Sequence, residues 1–184
     1  MCGLAGFLRT ATTPNRDSHQ AWSEAMGQAI VHRGPDAGAT WLDESVALVH
    51  RRLSILDLSD AGIQPMVSHS GRYVIAFNGE IYNFQELRNN LSRQGQSFRT
   101  GTDTEVLLTL YELEGPSCLE RLNGMFAFAI WDRVAQKLFL ARDRLGKKPL
   151  YYYEADGQFA FASEIKALLP VPFVMTEIRY DAVR

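Results

Sequence analysis

Met125-Phe126-Ala127-Phe128-Ala129-Ile130-Trp131 alternates with a period of two. Phe126, Phe128 and Ile130 share one face of an extended strand, while Met125, Ala127, Ala129 and Trp131 share the other. Both faces are apolar, so this strand belongs to a sheet covered twice, by a second sheet and by helices. Toward the C-terminus, strands are expected at 136–143, 149–154 and 158–162, joined by short turns into an antiparallel meander.

Toward the N-terminus two helices are expected. The first, 84–94, is introduced by Asn83 with Glu86 three residues on, and packs Phe84, Leu87 and Leu91 inward. The second, 104–114, carries the same signature in Thr102 and Glu105, with Leu107, Leu108 and Tyr111 on its buried face. Further upstream, short strands are expected at 73–78, 46–52 and 38–42. Trp22, Ala25, Met26, Ala29 and Ile30 recur at helical spacing, which places an amphipathic helix over 18–31. Gly3 to Leu8 reads as the first strand. Helices before and between two groups of strands give an α+β fold of four layers, helix on sheet on sheet on helix.

The chain has 184 residues and is 46% hydrophobic, enough for one substantial core and short for two. One domain is therefore expected over 2–169. Pro170 and Pro172 break the pattern, and Asp181 to Arg184 resembles a helix start that stops after one turn, so 170–184 is expected to begin a linker to a further domain. A net charge of -2 gives no basic footprint for nucleic acid or an anionic membrane. With no apolar run of membrane-spanning length, a cytoplasmic protein is expected. Cys2 and Cys118 are expected as free thiols. The four histidines do not fall at metal-ligand spacing, so no metal is expected.

Several residues can carry chemistry. Removal of Met1 would leave Cys2 with a thiol and a free α-amine, a nucleophile beside a base whose reference pKa is about 7.7–8.0. Seen alone, Cys2 is more commonly a small strand residue. Asn78-Gly79 is a frequent hairpin turn, but a side-chain amide and a glycine N–H can also donate to a developing oxyanion. Arg51 and Arg52 are either surface residues or carboxylate binders. Asp103 is either a helix cap or a holder of a substrate ammonium. His32-Arg33-Gly34-Pro35-Asp36 has the composition of a rigid turn. Arg144 to Lys148 lacks the upstream glycine and following hydroxyl of a phosphate loop.

In combination these segments are specific. Met1 to Gly6, His32 to Asp36, Arg52-Leu53-Ser54-Ile55, Phe77-Asn78-Gly79-Glu80-Ile81-Tyr82-Asn83, Gly101 to Glu105 and Gly124 to Ala129 follow in this order. The chain, from Cys2 through Leu169, resembles the glutaminase domain of glutamine-hydrolysing asparagine synthetases, a class II glutamine amidotransferase and N-terminal-nucleophile hydrolase. Glutamine-dependent phosphoribosyl transferases and glucosamine-phosphate synthases share the opening and the His-Arg-Gly-Pro-Asp segment. The segments 78–83, 142–146 and 163–169 are similar to the asparagine synthetase branch, which also holds amidotransferases of antibiotic and surface-polysaccharide pathways.

The resemblance implies that Cys2 attacks L-glutamine and that Asn78 and Gly79 bind the oxyanion. It implies that Arg52 holds the α-carboxylate and Asp103 the α-ammonium, with Leu53, Ile55 and Glu80 lining the pocket. Arg33, Asp36, Arg142 and Asp143 are expected to be mainly structural. Ammonia would pass through a tunnel to an attached or separate ATP-dependent synthetase domain. No cofactor is expected in this domain; ATP and Mg belong to that second one. A homodimer is compatible with the resemblance.

Overall fold

The structure is a computed structural model and describes residues 1–9, 16–53 and 62–177. The first strand, β1 (Gly3–Arg9), is followed by helix α1 (Arg16–Ala29) and strands β2 (Ala37–Leu42) and β3 (Val46–Arg52). A short β4 (Met66–Val67) and a long β5 (Tyr73–Ile81) lead into α2 (Phe84–Arg93) and α3 (Asp103–Glu114). Four strands close the chain: β6 (Gly124–Asp132), β7 (Lys137–Arg142), β8 (Tyr151–Ala155) and β9 (Gln158–Ala162). Among the described residues one sheet runs β2-β3-β1-β9-β8 and the other β4-β5-β6-β7, with antiparallel neighbours throughout.

The two faces of β6 have the two expected covers. Phe126, Phe128 and Ile130 pack with Ile75 and Phe77 against Leu87 and Leu91 of α2 and Leu107, Leu108 and Tyr111 of α3. Ala127, Ala129 and Trp131 face the other sheet, against Leu4, Leu48 and Phe161. Large side chains fill the wider gap to the helices, and alanines admit the opposing sheet. On the far side of the five-stranded sheet, Phe7, Ala47, Val49 and Ala160 pack against Met26 of α1, and Val171 joins the same cluster. The order is α1, sheet, sheet, α2 with α3.

Three local expectations are corrected. The C-terminal strands are not one meander: β6 pairs with β7 in the four-stranded sheet, whereas β8 and β9 form a hairpin beside β1 in the other. The crossing is organised by Asp143, whose carboxylate accepts the N–H groups of Phe126, Lys147 and Lys148. Burial alone would raise that carboxyl, but these backbone donors outweigh it and hold it below its ordinary value. In α1, Ala25 is exposed and the buried face includes His19, Ser23, Met26 and Gly27, because Gly27 lies over Val49 and Arg51. At α2, Asn83 makes no side-chain cap bond. Its side chain instead donates to Arg121 O and accepts from Asn123 N, tying the end of β5 to the start of β6. No helix among the described residues is long and apolar enough to cross a membrane.

Candidate active site

Strand register gathers the polar residues at one end of the space between the sheets. Gly3 lies opposite Arg51 and Leu4 opposite His50, so Cys2 falls beside Arg52 one step further on. Leu4 and Leu48 face the opposing sheet. The period of two turns Cys2 and Arg52 the same way, and Ala76 on β5 brings Asn78 to face them. Cys2, Arg52, Leu53, Gly62, Gln64, Gly79, Thr102 and Asp103 are among the residues lining a cleft of about 70 Å³.

Cys2 is half-buried, with Sγ 3.4 Å from Leu53 N and 3.5 Å from Leu53 O. Arg33 Nε donates to the Cys2 carbonyl at 3.0 Å. Met1 is 55% exposed, and its sulfur accepts from the buried Lys148 Nζ at 3.2 Å. The second thiol differs: Cys118 is fully buried, and burial, then the nearby Glu114, push it up to about 12.

Asn78-Gly79 is not a turn; both residues lie inside β5. Phe126 N donates to Asp143 Oδ2 and Phe126 O accepts from Asp143 N, so both main-chain groups of Phe126 point toward β7. Gly79 opposes Phe126 in the register, and this is therefore a non-hydrogen-bonded pair, in which the strands approach most closely. A Cβ at position 79 would lie 2.4 Å from Met125 O, which explains the glycine. The Gly79 N–H consequently points away from β6. On that same edge of β5, Phe77 N donates to Gln64 Oε1 at 2.7 Å and Ile81 N to Asp103 Oδ2 at 3.0 Å. Gly79 N lies between these two bonds, aimed at the cleft. Asn78 is 1% exposed, and its Nδ2 is buried without a hydrogen-bond partner. Two donors thus stand ready at adjacent residues.

Arg52 is seated from behind by the turn that begins at His32. A Cβ on Gly34 would lie 2.3 Å from Arg51 C, and Asp36 N donates to Arg52 O at 3.2 Å. On the cleft side, a Cβ on Gly62 would meet Arg52 Nη2 at 2.6 Å and Thr102 Cγ2 at 3.2 Å, so the guanidinium lies directly over that glycine. Asp103 opens α3, just after Thr102, whose hydroxyl accepts from Glu105 N. Burial pushes the Asp103 carboxyl up to about 6; backbone donors at Ile81 and Thr104 oppose this, and the charge of Glu80 adds to it. An acceptor so enclosed is suited to a cationic partner.

Of the sequence candidates, Cys2, Arg52, Leu53, Gly79 and Asp103 meet at the cleft. Asn78 lies beside it, and Glu80 is half-buried next to Asn78, acting on Asp103 through its charge. Ile55 lies outside the described residues. Two structural participants escaped sequence reasoning. Gln64 bridges Phe77 N and Thr104 Oγ1, a role created only by three-dimensional proximity. His50 Nε2 donates to Phe77 O at 3.0 Å and joins β3 to β5 across the sheets. Burial, reinforced by Arg52 and opposed by that carbonyl, lowers His50 to about 4 and keeps it neutral. A histidine within an apolar strand was the signal available for it.

A family model described as a glutamine amidotransferase domain matches residues 1–184. The chain is 47% identical over 174 residues to asparagine synthetase B (glutamine-hydrolyzing) of Escherichia coli, covering 93% of this chain and 30% of that protein. It is 43% identical over 172 residues to asparagine synthetase (glutamine-hydrolyzing) 2 of Bacillus subtilis, covering 94% of this chain and 23% of the relative. Among solved structures, glutamine phosphoribosylpyrophosphate amidotransferase from B. subtilis superposes with a TM-score of 0.72 at 24% identity, over 92% of this chain and 43% of that one. That likeness gives the fold alone, two stacked antiparallel sheets between helices. The chain belongs to the glutamine amidotransferase domain family.

Proposed function

We propose that, once Met1 is removed, Cys2 hydrolyses L-glutamine to glutamate and ammonia. The thiol proton passes to the Cys2 α-amine, directly or through water, and sulfur attacks the side-chain carboxamide carbon. The oxyanion of the tetrahedral intermediate accepts from Asn78 Nδ2 and Gly79 N–H. Collapse breaks the C–N bond; the leaving nitrogen takes the proton from the amine and departs as ammonia. Water then attacks the γ-glutamyl thioester, its proton returning through the amine to sulfur as glutamate leaves. Arg52 binds the α-carboxylate as a planar fork and Asp103 the α-ammonium, while Leu53, Glu80 and, by family likeness, Ile55 flank them.

The observation that carries this reading is the pair of free donors, the enclosed Asn78 Nδ2 and the outward Gly79 N–H, at the same end of the inter-sheet space as Cys2. Loss of one such donor costs about 2.7–4 kcal/mol of transition-state stabilisation. The test is glutamate release by protein whose Met1 removal has been verified by mass spectrometry. Cys2→Ala abolishes it; fully processed wild-type protein that releases no glutamate refutes the reading.

The ammonia is proposed to serve an ATP-dependent synthetase domain, attached or separate, that makes asparagine from aspartate in the cytoplasm. Support comes from the names of the relatives and from their greater length, since this chain spans 23–38% of those it matches. ATP and Mg are assigned to that domain and not to the residues described here. Asparagine formed from aspartate, ATP and glutamine by the full-length protein supports this acceptor. Amidation of a different carboxylate replaces it.

A further inference from the structure

We infer that Glu164 is a positioning residue for the nucleophile, acting through Arg33 on the Cys2 carbonyl. This rests on the reading of Cys2 as the nucleophile. Strand β9 pairs with β1 up to Ala162 opposite Ala5, and the next two residues continue that grip by other means. Ser163 N donates to Leu4 O at 2.8 Å, while Leu4 N donates to Ser163 Oγ at 3.0 Å. Glu164 then reaches past the end of β1: its Oε1 accepts from Arg33 Nη1 at 3.0 Å, and Arg33 Nε donates to Cys2 O at 3.0 Å. Three stretches far apart in sequence thereby meet at the residue that would carry both thiol and amine.

The arrangement is directional. Arg33 has a side chain only 9% exposed and divides its donors between Cys2 and Glu164, with Nη2 buried and unpartnered. Its stem is confined as well, since a Cβ on Gly3 would lie 3.4 Å from Arg33 Cβ and Cδ. The Glu164 carboxylate is the anion that this enclosed guanidinium meets. Neutralising it leaves a buried cation held by a carbonyl, which draws the guanidinium toward water and with it the peptide that fixes Cys2. Glu164 is itself held by His32 Nε2 at 2.9 Å and Lys166 Nζ at 3.1 Å. Burial opposes its charge, but hydrogen bonds from Arg33, His32 and Lys166 prevail and bring it down to about 2, so the anion is present throughout any working pH range.

The test compares wild type, Glu164→Gln and Glu164→Asp in the full-length protein by two readouts. One is the rate of iodoacetamide alkylation at Cys2, which needs no glutamine turnover and is not confused by the buried Cys118. The other is steady-state glutaminase kinetics. Since displacing a reacting group by about 1 Å can cost about 10²-fold, Glu164→Gln is expected to slow alkylation by at least about threefold and lower kcat by about tenfold or more. KM stays within about twofold, because Arg52 and Asp103 are untouched, and Glu164→Asp recovers part of both losses. Arg33→Lys combined with Glu164→Gln is expected to be no slower than Arg33→Lys alone.

Unchanged alkylation and kcat in a folded Glu164→Gln protein overturn the inference, as do independent, multiplicative losses in the double variant. If Glu164→Gln does not fold, Arg33→Lys decides: unchanged Cys2 alkylation overturns the relay, and a slowing supports it. Wild-type protein that alkylates in a Glu164-dependent way yet releases no glutamate upholds the positioning role and refutes glutamine hydrolysis instead.

Discussion

The starts of α2 and α3 carry the same sequence signature and serve different ends. Asn83 and Glu86 stand at one, Thr102 and Glu105 at the other. Thr102 has the extended backbone of a cap, with ψ at 151°, and its hydroxyl receives Glu105 N. Asn83 has ψ at 19°, outside the extended region that a capping residue adopts, and its side chain reaches Arg121 and Asn123 instead. Glu105 is 2% exposed and gathers Arg99 N, Thr100 N and the Thr100 hydroxyl, whereas Glu86 points into solvent. One helix start joins two strands; the other builds the wall that carries Asp103.

The largest effect that separates them is expected at Asp103. Asp103→Asn keeps an acceptor for Ile81 N but removes the charge that would hold an ammonium, and should weaken glutamine binding by about 10²-fold. Measured by calorimetry on a Cys2→Ala background, where no chemistry intervenes, wild-type Asp103 should lose affinity as pH falls below about 6, toward tenfold per unit. Stability runs the other way. A carboxyl raised from 3.8 to about 6 by burial favours the fold below the unfolded value, and that contribution is lost as pH rises through about 6. Asp103→Asn should therefore be more stable than wild type at pH 7.5, by about 2–3 kcal/mol, with the gain gone by about pH 4. A pH-independent difference in melting temperature would exclude this account.

What could be read in advance follows from the same contrast. Alternation in Met125 to Trp131 gave the layers, because the covers on both faces leave their mark on side-chain size. Local strand and turn signals marked β6 to β9 individually. They carried no information on sheet membership, since β8 and β9 are assigned to the other sheet by pairing with β1, more than 150 residues away in sequence, as Ala5 with Ala162. Asn78-Gly79 has turn chemistry but sits in a strand, because Gly79 is required by the closeness of Met125 O and not by a positive φ. Cys2, Arg52 and Asp103 became legible together, through likeness to a family and not through spacing. Gln64 and the Glu164 to Arg33 link carry no local signal, for each depends on partners that only the folded chain supplies.

The next effect in size is expected at Glu105. Glu105→Ala leaves the Arg99 and Thr100 N–H groups without their acceptor and should cost about 2 kcal/mol in urea unfolding at pH 7. Burial opposes its charge, but hydrogen bonds from Arg99, Thr100 and His69 lower the carboxyl overall. Its contribution is therefore full above the unfolded value, near 4.5, and lost as pH falls below it. Asp103 and Glu105, two residues apart, should thus give stability profiles of opposite slope.

The smallest effects test whether the shared signature has a shared meaning. Thr102→Ala removes a formed cap and should cost about 1 kcal/mol. Glu86→Ala removes the residue that a capping box at α2 would need, and on the signature alone its cost should be comparable. Yet Asn83 is committed to Arg121 and Asn123, and Glu86 is exposed, so only a helix-dipole attraction remains, offset by the higher helix propensity of alanine. The expected change is within about 0.5 kcal/mol at moderate salt. A loss near 1 kcal/mol, equal to that of Thr102→Ala, would mean that Asn83 caps α2 in solution after all. The two helix starts would then differ only in the burial of their carboxylates.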